Sequence, residues 1–336
     1  MPNVKISGPM SYTYLEVGKK RIHLFGDEHS SLDYKCKDKS AIDIVKFLKD
    51  KFKSTKEPID FFVEQAYNTI ETPYEFKKKN QLKLFKNSKI QTCYLSKLRT
   101  TFLKDGCFRR EKEMCNKKYP NIRFHAADYR ISIKSIDARK ILILYTNVFL
   151  NTNYLLSLLY SNNIPVLIKE MSLVLNEYDT ISKIVGSFQK CLKTKKMKDQ
   201  FTKINPKYKK KIEQYIKDSI ADFRLYSKDY DINVKNLKKA LNNKSIPQSY
   251  NIMKYLHNIL NILWSYNSEN IFSLIMDSYL LTRMMKDEYN NVIIYAGEAH
   301  IQTYIHFFTK YMKGNVKSVG KASTLRCITL KDFRFI

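Results

Sequence analysis

Two apolar runs set the first pattern along the chain. RIHLFG at 21–26 follows Gly18 and closes on a glycine, and IDFFVE at 59–64 follows Pro58 and closes on a glutamate. Short, nearly unbroken apolar segments of this kind predict buried strands, because a strand covered on both faces has no polar side to present. Between them, Ser40 is placed to cap a helix whose apolar positions are Ile42, Val45, Phe47 and Leu48. Strand, helix, strand predicts a parallel pair with both carboxyl ends on one edge.

Further on, residues 73–119 are charged and helix-compatible, with a break at Gly106, and NIRFHAADYR at 121–130 predicts a third strand delivering His125, Asp128 and Arg130 just beyond its end. Residues 135–240 read as mostly helical, interrupted at Pro165, Gly186 and Pro206; the lysine-dense stretch 193–217 reads as a solvated helical face or a surface insertion. After Pro247, the spacing of Met253, Leu256, Ile259, Leu260 and Leu263 predicts a long helical region over 250–289, ended by Asn290 and Asn291. NVIIYAG at 291–297 predicts a buried strand, a helix follows from about His300, and VKSVG and TLRCITL predict two edge strands. The fold class expected is α/β, with a mixed, largely parallel central sheet flanked by helices. Residues 1–134 and 250–336 would form the two parts of that core, and 135–249 a mostly helical, lysine-rich insertion or cap.

Composition sharpens this picture in three ways. A chain of 336 residues that is 44% hydrophobic can bury a core, which excludes a disordered tail, a mini-protein and a collagen-like repeat. Sixty Lys and Arg against 32 Asp and Glu give a formal charge of +28, which points towards nucleic acid or an acidic partner. The basic residues are spread from Lys5 to Arg334 and are dominated by lysine, as an AT-rich coding sequence would also produce. The six cysteines, at 36, 93, 107, 115, 191 and 327, form no CxxC pair, so reduced, partly buried thiols are expected and a zinc ribbon is not. The chain does not open on a basic stretch followed by an apolar run, and Asn147, Asn151 and Asn153 interrupt its most lipid-like window, so neither secretion nor a transmembrane anchor is expected.

Two places share one architecture: IHLFGDEH, with Gly26 and His29, and IIYAGEAH, with Gly297 and His300. In each, a glycine allows a tight exit from a strand and a histidine follows over the carboxyl edge of the sheet, where open α/β sheets bind their ligands. Glu64 ends its strand in the same way. Two histidines and one carboxylate, with positions left open, form a ligand set for a divalent ion of the manganese, cobalt or zinc class. Such an ion lowers the pKa of bound water. Without a metal, the same groups supply a histidine base oriented by a carboxylate. Against these readings stand plain ones: a capped turn at each histidine, an ion pair from Glu64 to a lysine, and a structural Asp128–Arg130 bridge beside a satisfied His125. His23 and His257 fall at core positions and are expected to be structural. There is no HExxH, GxSxG or strand-linked GxGxxG, and 314–322 departs from a phosphate loop.

GDEH at 26–29, VEQ around Glu64 and YAGEAH at 295–300 resemble the paired GxxH motifs and strand-end glutamate of the TraB/Tiki proteins, within the wider superfamily that includes erythromycin-esterase-like and ChaN-like members. The resemblance covers 20–66 and 275–310. It implies a mixed α/β core with one polar cleft, and a metal-dependent peptidase or an esterase-like hydrolase acting on a peptide or ester. His29, Glu64 and His300 would be metal ligands or bases, Arg283 would hold a carboxylate or substrate anion, and His125 and Asp128 would add to the site; Asp27 and Glu298 depart from the small or polar residues of some relatives and, with Glu28, would tune it. The sequence is also similar in style to large-DNA-virus proteins, which implies a cytoplasmic or virion-associated location. It leaves open a non-catalytic basic scaffold that binds nucleic acid or an acidic partner.

Overall fold

The computed structural model describes residues 4–28, 36–66, 93–105, 107, 118–128, 154, 155, 157, 158, 161, 165, 166, 169, 170, 201, 204–242, 248–265, 269–286, 288–324 and 326–330. The chain divides into two compact units. The first comprises Met1–Ser132, Phe201–Ile212 and Met276–Ile336; the second comprises Ile133–Gln200 and Glu213–Ile275.

The first unit is built on strands β1 (Val4–Ser7), β2 (Ser11–Val17), β3 (Lys20–Asp27), β4 (Ile42–Asp43), β5 (Ile59–Ala66), β6 (Ile122–Asp128), β7 (Asn291–Gly297), β8 (Asn315–Thr324) and β9 (Cys327–Leu330). They lie in the order β4-β1-β9-β8-β2-β3-β7-β5-β6. Six of them, from β8 to β6, form the central sheet; β3, β7, β5 and β6 are parallel, and β2 and β8 are antiparallel additions. The expected mixed, largely parallel α/β fold is what the chain adopts. β7 is inserted between β3 and β5, so the strand–helix–strand start is parallel without being adjacent.

Helices α1 (Ile44–Ser54) and α2 (Tyr94–Lys104) cover one face. Phe52, Phe61, Phe102, Tyr119 and Phe124 meet there edge-on or tilted with ring centroids 5.0–6.3 Å apart, alongside Phe25, Ile293 and Tyr295. Because side chains alternate along a strand, Asp60, Phe62 and Glu64 of β5 and Arg123 and His125 of β6 turn to the other face. That face meets α6 (Glu298–Lys310) and the part of α5 (Glu269–Met284) from Met276 onwards. The remaining helices are α3 (Pro206–Asn242) and α4 (Gln248–Ser265). No helix of the described residues is long and apolar enough to cross a membrane.

Several expectations are corrected. Helix α1 is capped by Asp43, whose carboxylate accepts from the Val45 N–H at 3.0 Å, and not by Ser40; Ile42 belongs to β4. The helical region expected over 250–289 is made of α4 and α5, but His257, expected at a core position, stands exposed on α4. His125 lies inside β6, not beyond its end. β8 and β9 are interior to the sheet order because the N-terminal strands β1 and β2, which the sequence reading passed over, pair outside and beside them. The thiols are not all reduced: Cys36 and Cys327 form a disulfide with Cα atoms 4.9 Å apart, Cys107 is also disulfide-bonded, and Cys93 is free. Sequence spacing carries no sign of the first bridge, because it joins segments 291 residues apart that only the sheet brings together.

Candidate active site at the carboxyl edge of the sheet

Strands β3, β5 and β7 run parallel, so their carboxyl ends share an edge, and α6 leaves from the end of β7. Glu64, one position past the Val63–Tyr295 pair, reaches this exit. One of its oxygens, Oε2, accepts from the Gly297 N–H at 2.6 Å, and the other, Oε1, lies 3.5 Å from His300 Nε2. The second ring nitrogen of His300, Nδ1, is 2.7 Å from Asp277 Oδ1 on α5. Glu64, His300 and Asp277 thus form a continuous acid–imidazole–acid line across a strand and two helices. The start of α6 adds the positive end of a helix dipole beside the Glu64 carboxylate.

Burial works to lower the pKa of His300, but the Asp277 carboxylate, by charge and by hydrogen bond, and Glu64 beyond it raise it from 6.5 to about 10. The ring is therefore an imidazolium at neutral pH and donates towards a carboxylate at each end. Both side chains are largely buried, Glu64 at 11% and His300 at 7% exposed.

Gly26 leaves room for two side chains over the end of β3. A Cβ there would collide with the Glu298 carboxylate and the Ser11 hydroxyl, which are themselves hydrogen-bonded. Glu298 also accepts from Gln302 Nε2 at 2.6 Å. Asp27 points to the opposite face, where its Oδ1 is 3.3 Å from Nη2 of the fully buried Arg326 and accepts from the Glu28 N–H. Glu28 is exposed.

A second polar chain lies on the same face, towards the amino ends of β5 and β6. Arg283 Nη2 is 3.0 Å from His125 Nδ1, and His125 Nε2 is 2.8 Å from Asp60 Oδ1. Arg123 clamps both Asp60 oxygens at 2.6 and 2.7 Å, bonds Glu288, and stacks 3.8 Å over the Tyr289 ring. Burial raises the Asp60 pKa, but the bonds from His125 and Arg123 outweigh it and hold it at about 2. His125 is stacked on Phe62 with centroids 4.5 Å apart. This chain fixes Arg283 and His125 to each other and to the sheet.

Of the residues singled out from sequence, Glu64 and His300 meet directly, and Arg283 meets His125. Asp128 is half-buried at the end of β6, and His29 and Arg130 lie outside the described residues. The sequence reading missed Asp277 and Asp60. Each is a lone carboxylate in an apolar run, SLIMDSYLL and IDFFV, and a charge in such a run implies a buried partner. Among the described residues, no group of three or more His, Cys, Asp and Glu side chains is arranged to hold a metal ion. For His300 Nε2 and Glu64 Oε1, 3.5 Å apart, to serve as donors to one ion, His300 would first have to give up its Nε2 proton. Compared with protein-family models, curated proteins and solved structures, the chain matches none.

Proposed function

We propose that the chain is a hydrolase of peptide or ester bonds whose acid–base centre is Glu64, His300 and Asp277. The observation that carries this reading is the position of His300: one ring nitrogen is fixed by Asp277 at 2.7 Å and the other faces the more accessible Glu64 at 3.5 Å. The resemblance of the two GxxH segments to TraB/Tiki proteins adds support from sequence.

The proton balance closes with these groups. Glu64 takes a proton from water as the oxygen attacks the carbonyl, and His300 gives its Nε2 proton to the leaving alkoxide or amine. Glu64 then returns its proton to His300. Asp277 keeps the ring oriented and is a positioning residue. In the metal-dependent form that the resemblance implies, His29, Glu64 and a His300 that has given up its Nε2 proton would hold a divalent ion of the manganese, cobalt or zinc class. Such an ion lowers the pKa of water and polarises the carbonyl.

Assays on aryl esters and a fluorogenic peptide library, with and without added Mn, Co and Zn, test the proposal. Glu64→Gln is expected to lose about 10²- to 10⁴-fold in kcat/KM. Asp277→Asn is expected to lose about 10- to 100-fold. Metal content of wild type, His29→Ala and His300→Ala separates the two forms. Equal rates in wild type and Glu64→Gln under every metal condition would remove the hydrolase.

A further inference from the structure

Among the described residues of the first unit, the two edges of the sheet carry different side chains. The carboxyl ends of β3, β5 and β6 and the start of α6 bring Asp27, Glu64, Asp128 and Glu298 to one edge. At the opposite edge the β2–β3 turn, the first turns of α3 and the turn between α6 and β8 bring lysines. These turns adjoin: a Cβ on Gly18 would sit 2.9 Å from the Tyr208 hydroxyl of α3, and one on Gly314 would sit 2.9 Å from Val17. Lys19, Lys207, Lys210, Lys211, Lys313 and Lys317 are all exposed there. Two carboxylates stand beside them, Glu16, 3.6 Å from Lys317, and Glu213, one turn on from Lys210 in α3.

Helix α3 strengthens the case independently. The first turn of a helix favours acidic residues, yet α3 has none there and begins PKYKKK. Its own dipole therefore adds to the lysine charge at a local cost in helix stability, an arrangement that helps only when an anion is brought to it.

We propose that this amino-edge lysine surface binds the phosphate backbone of a nucleic-acid duplex without regard to sequence. Lysine is a mobile point charge suited to phosphates; reading bases calls for the planar fork of arginine or for amides, and single strands call for exposed aromatic platforms. The six side chains supply only the first. A lipid surface would require several large apolar side chains to insert, and on the strand that carries Lys317 the exposed apolar side chains are two short ones, Val316 and Val319, 37% and 57% exposed.

The test is fluorescence anisotropy with a random-sequence DNA duplex of about 25 base pairs, titrated across salt concentrations. Lys19→Gln, Lys207→Gln, Lys210→Gln and Lys313→Gln are combined in one variant. A control carries the same charge change elsewhere, at the exposed Lys37, Lys39, Lys46 and Lys53. The amino-edge variant is expected to bind at least tenfold more weakly, with a log–log salt slope smaller by about 3 to 4. The control is expected to bind as wild type. Thermal melts of both variants check that the fold is retained. Equal weakening in both variants, or no salt-dependent duplex binding by wild type, would overturn the proposal. So would a loss confined to binding of phosphatidylserine vesicles.

Discussion

At the scale of single residues, two buried histidines take opposite protonation states because of what surrounds them. His23 is enclosed among Tyr12, Tyr14 and the sheet, its Nδ1 is 2.8 Å from the Tyr12 hydroxyl, and burial, aided by Arg21, lowers its pKa to about 3. His300 is nearly as buried, but its two carboxylates reverse the outcome and raise it to about 10. The linkage signs follow. His300 contributes stability in full below pH 6.5, its unfolded value, and loses it as pH climbs to about 10. His23 contributes above pH 6.5 and loses its contribution as pH falls towards 3. Urea unfolding across pH should therefore show an alkaline decline that Asp277→Asn flattens, while the acid side keeps its shape. An alkaline decline unchanged by that substitution would contradict the assigned state of His300. His23 was legible in sequence as structural because it sits inside a short apolar strand. His257 was not, because helical spacing alone does not say which face of α4 is covered.

At the scale of elements, the strands that carry the site were legible because each ends abruptly on a glycine or a carboxylate after an apolar run. β3, β5 and β7 fall within a few residues of where the pattern put them. β1 and β2 were passed over although SYTYLEV alternates, and without them β8 and β9 read as edges. The Cys36–Cys327 bridge is the element-level feature least visible in sequence. It joins the segment after β3 to β9, beside Arg326, whose guanidinium meets Asp27 at the end of β3. Reducing this bridge should lower unfolding free energy by about 2–5 kcal/mol. Equilibrium unfolding of Cys36→Ser beside wild type measures that loss, and peptide mapping without reductant verifies the pairing. Identical unfolding curves would show that the bridge holds nothing the sheet does not already hold.

At the scale of the whole molecule, the +28 charge is spread along the chain, whereas the acid–base centre sits at the carboxyl edge of one sheet. The candidate site was half legible. Glu64 and His300 announce themselves at strand ends, but their partner Asp277 comes from a helix whose apolar sequence gave no periodic cue to which side chains face the sheet. Arg283 was placed near the site by resemblance alone, and its partner turned out to be His125, held in turn by Asp60. Convergence of this kind depends on register between strands far apart in sequence, and no local pattern encodes it. The most direct test is the titration of the His300 ring by nitrogen-15 NMR in metal-free protein, with Asp277→Asn as reference. The account predicts both ring nitrogens protonated through neutral pH with a midpoint near 10, falling in the Asp277 variant. A wild-type midpoint near the ordinary 6.5 would mean that the three groups do not meet as described.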